Sequence, residues 1–229
     1  MNQTFPESRV VDILGQNASK LVSKGDSWFQ LRELDAGYGV ADIVFLNLDR
    51  KKLKKRITEK PKAILSKQVI KTILAFKQVG EPLSVSYLSK ELGTSESYIK
   101  NNILKFLKEN GYIEQIDGNF ELTFDYELVT SNSIAIEAKI SDWKRGLYQA
   151  NRYKWFSEQS YLALLERNIK PALKNIDLFR KLNVGLISVN ENSCKVLYEP
   201  FSEKPKSLDK QFFANEQIIS SHSKRLLPI

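Results

Sequence analysis

The chain has 229 residues, 42% of them hydrophobic and 27% charged, which is enough apolar material for a packed core and excludes wholesale disorder. Its formal net charge of +8 and pI near 9.3 suit polyanionic partners, nucleic acid first among them. One cysteine (Cys194) and one histidine (His222) rule out an internal disulfide, His-rich zinc sites and Ser-His-Asp triads, and neither G-x-x-x-x-G-K-[ST] nor G-x-G-x-x-G occurs. Enzyme chemistry in this chain would rest on carboxylates, lysines and a metal. No apolar run is long enough to cross a bilayer and "MNQTFPESRV" lacks a signal-peptide pattern, so a soluble, cytoplasmic protein without membrane contact is expected.

In chain order, "ESRVVDILGQNASKLVSKG" places Val10, Val11, Ile13, Leu14, Ala18, Leu21 and Val22 at helical spacing, with a stop at Lys24-Gly25. "SWFQLREL" alternates as a strand, "DAGYG" is a turn, and "VADIVFLNL" is a second strand, together a hairpin. The basic run "DRKKLKKR" (Asp49 to Arg56) reads as a phosphate-contacting loop or a solvated connector. After Pro61 come three helices closing at Gly80, Gly93 and Gly111, the last capped by Thr94 or Ser95, and a hairpin turning at Asp117-Gly118. That order resembles a winged helix-turn-helix module, inserted at residues 57–123 and carried by "LSVSYLSKELGTSESYIKNNILKFLKENGYIEQ". The resemblance implies a small core of Leu83, Leu88, Leu92, Ile99, Ile103, Leu104 and Leu107. It also implies a recognition helix from Ser95 to about Glu109 that offers Ser97, Tyr98, Lys100, Asn101 and Lys105 to DNA. Docking of a protein through this module stays open.

Strands and helices then alternate. "SIAIEAKI" is a strand, "SDWKRGLYQANRYKWFSEQ" a helix, "SYLALLE" a strand and "KPALKNIDLFRKLN" one helix. "VGLISVN" and "CKVLYEP" are strands, and "KSLDKQFFANEQIISS" is a last helix. The pattern predicts an α/β sandwich with a central mixed sheet, formed by residues 1–56 and 124–229 and interrupted by the helical module.

Side chains on a strand alternate faces, so Glu137 and Lys139 point the same way. An exposed ion pair is one reading of them. Asp42, however, interrupts the apolar strand "GVADIVFL", where a carboxylate is costly unless paired or metal-bound. Glu33 lies on the other arm of the hairpin. On the helix that follows Lys139, Arg145, Gln149 and Arg152 share one stripe, opposite Trp143, Leu147 and Ala150.

"VAD" at 40–42, "EAK" at 137–139 and "QANRY" at 149–153 together resemble the PD-(D/E)xK nuclease superfamily, the restriction-endonuclease-like fold; the last stretch is similar to the Q-x-x-x-Y element of its RecB-like branch. Ala41 stands where the family has a proline. The resemblance implies phosphodiester hydrolysis, with double-stranded DNA as the expected substrate. Asp42, Glu137 and the Ala138 carbonyl would hold Mg²⁺ or Mn²⁺, with Glu33 as a further candidate ligand. Lys139 would orient or deprotonate water, and Gln149 would anchor the site or the DNA backbone. Tyr153 would support Gln149 or simply pack, and Arg145 and Arg152 would meet phosphates. Trp143, Trp155 and Phe156 read as core. The rival expectations are a non-catalytic DNA-binding regulator and a protein-docking subunit on the same scaffold; homodimer or partner protein stays open.

Overall fold

The structure is a computed structural model that describes residues 5–23, 28–37, 39–60 and 62–222, the side chain of His222 excepted. The expected helix stop at Lys24-Gly25, Tyr38 of the expected turn and Pro61 lie outside these residues. The elements run α1 (Glu7–Gln16), β1 (Trp28–Asp35), β2 (Val40–Leu48), α2 (Arg50–Glu59), α3 (Lys67–Val79), α4 (Val85–Leu92) and α5 (Glu96–Tyr98). A π-wound stretch (Ile99–Leu104) leads into α6 (Lys105–Glu109), β3 (Ile113–Ile116) and β4 (Asn119–Leu122). Then follow β5 (Thr130–Lys139), α7 (Trp143–Tyr153), β6 (Gln159–Leu165), α8 (Lys170–Leu173), α9 (Ile176–Leu182), β7 (Gly185–Val189), β8 (Cys194–Tyr198) and α10 (Leu208–His222). They form two compact units, Met1–Asp49 with Thr130–Gln211, and Arg50–Val129 with Phe212–Ile229.

The first unit is mixed α/β around a six-stranded mixed sheet of order β1-β2-β5-β6-β7-β8. Only β5–β6 and β6–β7 are parallel. The period-two pattern explains the layers. Ile43, Phe45, Ile134, Ile136, Ala163 and Ile187 face α1 through Val10, Ile13 and Leu14. Leu162, Leu164 and Leu186 on the other face pack against Leu147 and Ala150 of α7 and Phe179 of α9. Because both faces are covered, β5, β6 and β7 read as near-continuous apolar runs.

Three helices are shorter than expected. Helix α7 ends at Tyr153, and Gln159, expected within it, opens β6. Helix α1 stops at Gln16, where the Asn17 amide donates to the Ile13 carbonyl at 2.9 Å and competes with continuation of the helix. The expected single helix after Lys170 breaks at Asn175, whose side chain donates to the Pro171 carbonyl at 2.8 Å.

In the second unit Ser66, Ser84 and Ser95 each accept the backbone N–H three residues on, and left-handed Gly80 and Gly93 end α3 and α4. Leu83, Leu88, Ile99, Ile103, Leu104 and Leu107 are buried together, with Leu92 half-buried against them. The β3–β4 hairpin turns through Asp117 (φ 50°) and Gly118 (φ 83°), and Leu83 exchanges two backbone hydrogen bonds with Phe120 at 2.7 and 2.9 Å.

This unit is wider than residues 57–123. It begins at Arg50 and takes in the tail from Phe212, so the last helix does not belong wholly with the sandwich. The basic run is a helix rather than a loop, and Arg50, Lys51, Lys54 and Lys55 on it are exposed. It forms α2, and Arg56 turns inward, 2% exposed, to pair at 2.8 Å with the fully buried Glu216 of α10. Arg56 also donates to the Lys62 carbonyl at 3.1 Å, and Ile64 N–H donates to Glu216 at 2.6 Å. The rings of Tyr112, Phe124 and Tyr126 lie 5.7, 6.0 and 5.9 Å from the guanidinium. An unpaired buried arginine is too costly to expect from a basic run, and its carboxylate partner lies 160 residues further on.

Candidate functional site

The site lies where β2 begins and β5 ends. Regular pairing of these strands reaches Ile43↔Ile136; beyond it the Asp42 Oδ2 accepts the Ala138 N–H at 2.7 Å. A side chain thus replaces the backbone ladder, and Asp42 is held beside "EAK" by the strand it parts from. On its other side the pairing of β1 skips Glu33, between Arg32↔Ile43 and Leu34↔Ala41. Glu33 sits at φ 53°, a strained conformation for a non-glycine in a strand.

Glu137 is 2% exposed and Lys139 13% exposed, with Lys139 Nζ 2.7 Å from Glu137 Oε1. The same ammonium reaches the Ala138 carbonyl at 3.2 Å and Glu7 Oε2 of α1 at 3.3 Å. The Tyr153 hydroxyl stands between the Val40 carbonyl (2.7 Å) and Glu137 Oε2, and so ties the start of β2 to the end of β5. Glu137 and Lys139 therefore form a buried, hydrogen-bonded pair rather than an exposed one.

Burial lifts the Asp42 carboxyl above its ordinary range; the Ala138 N–H and Lys139 pull it back, while Glu7 and Glu33 push it up. Burial likewise lifts Glu137, against hydrogen bonds from Lys139 and Tyr153 and with the Asp42 charge adding to the rise. For Lys139 burial alone would lower the pKa, but the Glu137 hydrogen bond and the charges of Glu137, Glu7 and Asp42 outweigh it, and the group is held as an ammonium. Two carboxylates raised by burial and by neighbouring carboxylate charge describe a place where added positive charge is favourable.

Asp42, Glu137, Ala138 and Lys139 therefore come together. Glu33 stays exposed and reaches Asp42 through its charge. Gln149 is half-buried on α7, and among the described residues its Oε1 finds no partner. Arg145 is exposed, and Arg152 lies over the Tyr148 ring at 5.6 Å. Tyr98, Lys100, Asn101 and Lys105 belong to the second unit, all exposed around the π-wound stretch. Two contributors escaped sequence reasoning, Glu7 and Gly146. Tyr153, weighed as support for Gln149 or as packing, is buried and bonds Glu137. Glu7 carries no local signal, since its partner is 132 residues away. Gly146 reads as an ordinary helical glycine, yet a Cβ there would fall 2.9 Å from Lys139 Cγ and 2.5 Å from Leu162. Its missing side chain is what lets the lysine stem lie along α7.

Among the described residues no three carboxylate, imidazole or thiol side chains form a metal cluster by themselves. The oxygen donors on hand are Asp42, Glu137 and the Ala138 carbonyl, with Glu7 behind Lys139. That set fits Mg²⁺, which commonly uses one or two carboxylates and keeps several waters. Compared with protein-family models, with curated proteins and with solved structures, the chain shows no match.

The raised Asp42 carboxyl has a consequence for the metal-free protein. A group whose folded pKa is raised stabilises the fold below its unfolded pKa, and that contribution is lost as pH rises through the folded pKa. The relevant window lies above the ordinary value of 3.8. In EDTA, Asp42→Asn should therefore melt higher than wild type by a margin that is larger at about pH 7.5 than at about pH 5. Thermal melts at the two pH values check this; a margin that shrinks as pH rises contradicts the assignment.

Proposed function

We propose that the chain is a metal-dependent phosphodiester hydrolase of the PD-(D/E)xK nuclease superfamily, an endonuclease acting on DNA. The observation that carries this reading is the convergence of Asp42, Glu137 and Lys139, from strands 95 residues apart in sequence at Asp42 and Glu137, at one end of the sheet (137 − 42 = 95). A mixed sheet with helices on both faces is compatible with a restriction-endonuclease-like sandwich. A non-catalytic scaffold has no need to keep two raised carboxylates and an ammonium together.

In this reading Asp42, Glu137 and the Ala138 carbonyl hold a divalent cation. When bound, the ion supplies polarisation of the phosphate and a more acidic water. Ala138 N–H fixes the Asp42 carboxylate, and Tyr153 fixes Glu137. Lys139, kept charged, orients the attacking water and offsets negative charge that builds on the phosphate oxygens. Glu7 limits how far the ammonium strays from that position. Conversion of supercoiled plasmid to nicked or linear DNA tests the proposal: wild type should cleave with Mg²⁺ or Mn²⁺ and not with EDTA.

The second unit is read as a winged helix-turn-helix. Three capped helices, the β3–β4 hairpin and the Leu83–Phe120 pairing support it. Its recognition helix would be α5 through α6, whose outer face carries Ser97, Tyr98, Lys100, Asn101 and Lys105. Lys100 and Lys105 are tied to Glu96 and Glu109 only by long, exposed pairs of 3.9 and 4.0 Å, so both ammonium groups remain free to meet phosphates. Lys100→Ala with Lys105→Ala should weaken duplex binding and reduce the slope of log K against log salt by about 2. An unchanged slope would favour protein docking by this unit.

A further inference from the structure

Most aromatic side chains near the site are committed to packing. Trp143 stacks on Phe179 with centroids 6.2 Å apart, and Phe156 and Tyr153 are buried. Tyr148 is not. It is 67% exposed on α7, between the buried Leu147 and Ala150. A single exposed ring is common on a protein surface, so its use is read from the groups around it.

The ring is not adrift. Arg152, one turn later, lies over it at 5.6 Å. Arg152 is itself set by the hairpin turn, since a Cβ on Gly39 would come within 3.3 Å of its Nη2. With residues 100° apart on a helix, Gly146, Tyr153 and Gln149 lie toward the site and Arg145 and Arg152 come next. Tyr148 lies beyond them on the solvent face, about 160° round from Gly146, and Arg152 bridges the gap. Gly146 touches the Lys139 stem and Tyr153 bonds Glu137, so the ring is tied to the site through one rigid helix. Between them, Gln149 Oε1 and Arg152 Nε are buried polar atoms with no partner among the described residues. Such atoms are rare, and each takes a partner from water, an ion or a ligand.

We propose that Tyr148, steadied by Arg152, is a stacking platform for an unpaired nucleobase next to the scissile phosphate. The inference rests on the hydrolase reading and deepens it by naming the substrate class: a DNA strand with at least one base out of the duplex, such as a single strand, an overhang or a flap. A paired base inside a duplex already has both faces covered by its neighbours, whereas an unpaired base can stack on a protein ring. Arg145 and Arg152 supply positive charge for the phosphates on either side.

The test uses the full chain in EDTA, where no cleavage occurs, with 2-aminopurine in a single-stranded oligonucleotide, in a duplex overhang and in a blunt duplex. Wild type should quench the probe in the first two. Tyr148→Ala should lose that quenching and bind those two substrates about 5- to 100-fold more weakly. Tyr148→Trp should restore both, and blunt-duplex affinity should change by less than about twofold, since stacking needs a free base face. Tyr148→Ala that quenches and binds like wild type, or that loses blunt duplex equally, overturns the platform. Cleavage of the same oligonucleotides in Mg²⁺ is scored separately. Cleavage by wild type with no substrate-selective loss in Tyr148→Ala ends the platform and leaves the hydrolase standing. Absence of wild-type cleavage of both these oligonucleotides and supercoiled plasmid ends the hydrolase reading, while the quenching still decides whether Tyr148 stacks a base.

Discussion

Plasmid cleavage by Asp42→Asn and by Lys139→Ala should each fall about 10²- to 10³-fold below wild type, the usual cost of removing one preorganised electrostatic group. Asp42→Asn is the cleaner of the two. Its amide oxygen can still accept the Ala138 N–H at the position the carboxylate occupies at 2.7 Å, so the parting of β2 from β5 is preserved. Only the charge is lost, and because burial had lifted that carboxyl, the fold should not weaken. Lys139→Ala removes the ammonium but leaves Glu137 with its Tyr153 contact. Glu137→Gln would be harder to interpret, because it disturbs both Lys139 and Tyr153 at once. The measurement is the rate of supercoiled-plasmid conversion at saturating Mg²⁺, beside a binding assay that should show DNA affinity retained. Cleavage at the wild-type rate by both variants would end the nuclease proposal. Loss of binding along with cleavage would place the defect in the fold or the interface rather than in the chemistry.

Glu216→Ala should destabilise the second unit by about 3–5 kcal/mol, enough to unfold a marginal domain. The alanine strands the Arg56 guanidinium, 2% exposed, without its carboxylate at 2.8 Å. It also orphans the Ile64 N–H, which Glu216 accepts at 2.6 Å. The three rings around Arg56 offset part of the charge but do not replace the carboxylate. Replacing both partners together, Arg56→Met with Glu216→Leu, should recover much of the loss, since a well-packed apolar pair avoids desolvation of two ions. Urea unfolding followed by limited proteolysis reads the effect, with new cleavage sites expected within residues 50–129. A Glu216→Ala midpoint equal to wild type would show that the pair does not hold this unit.

Several features needed no tertiary information. Alternation in "VADIVFLNL" and "SIAIEAKI" placed Asp42 and Glu137–Lys139 on strands, and helical spacing separated the buried stripe of α7 from its polar one. Glycine stops marked the ends of α3 and α4, Ser95 was a named cap candidate for α5, and Asp117-Gly118 marked the hairpin turn. These signals are local because the preferences behind them are local: one face in water, one face buried, and a few residues able to adopt positive φ or cap a helix. Tertiary structure decided the rest. It chose Glu7 as a partner for Lys139 across 132 residues and Glu216 for Arg56 across 160. It made Tyr153 a strap between β2 and β5, and it laid the Lys139 stem against Gly146 of α7. No sequence period records such pairings. Their energies come from desolvation and close contact, and those exist only once distant strands and helices have been brought together.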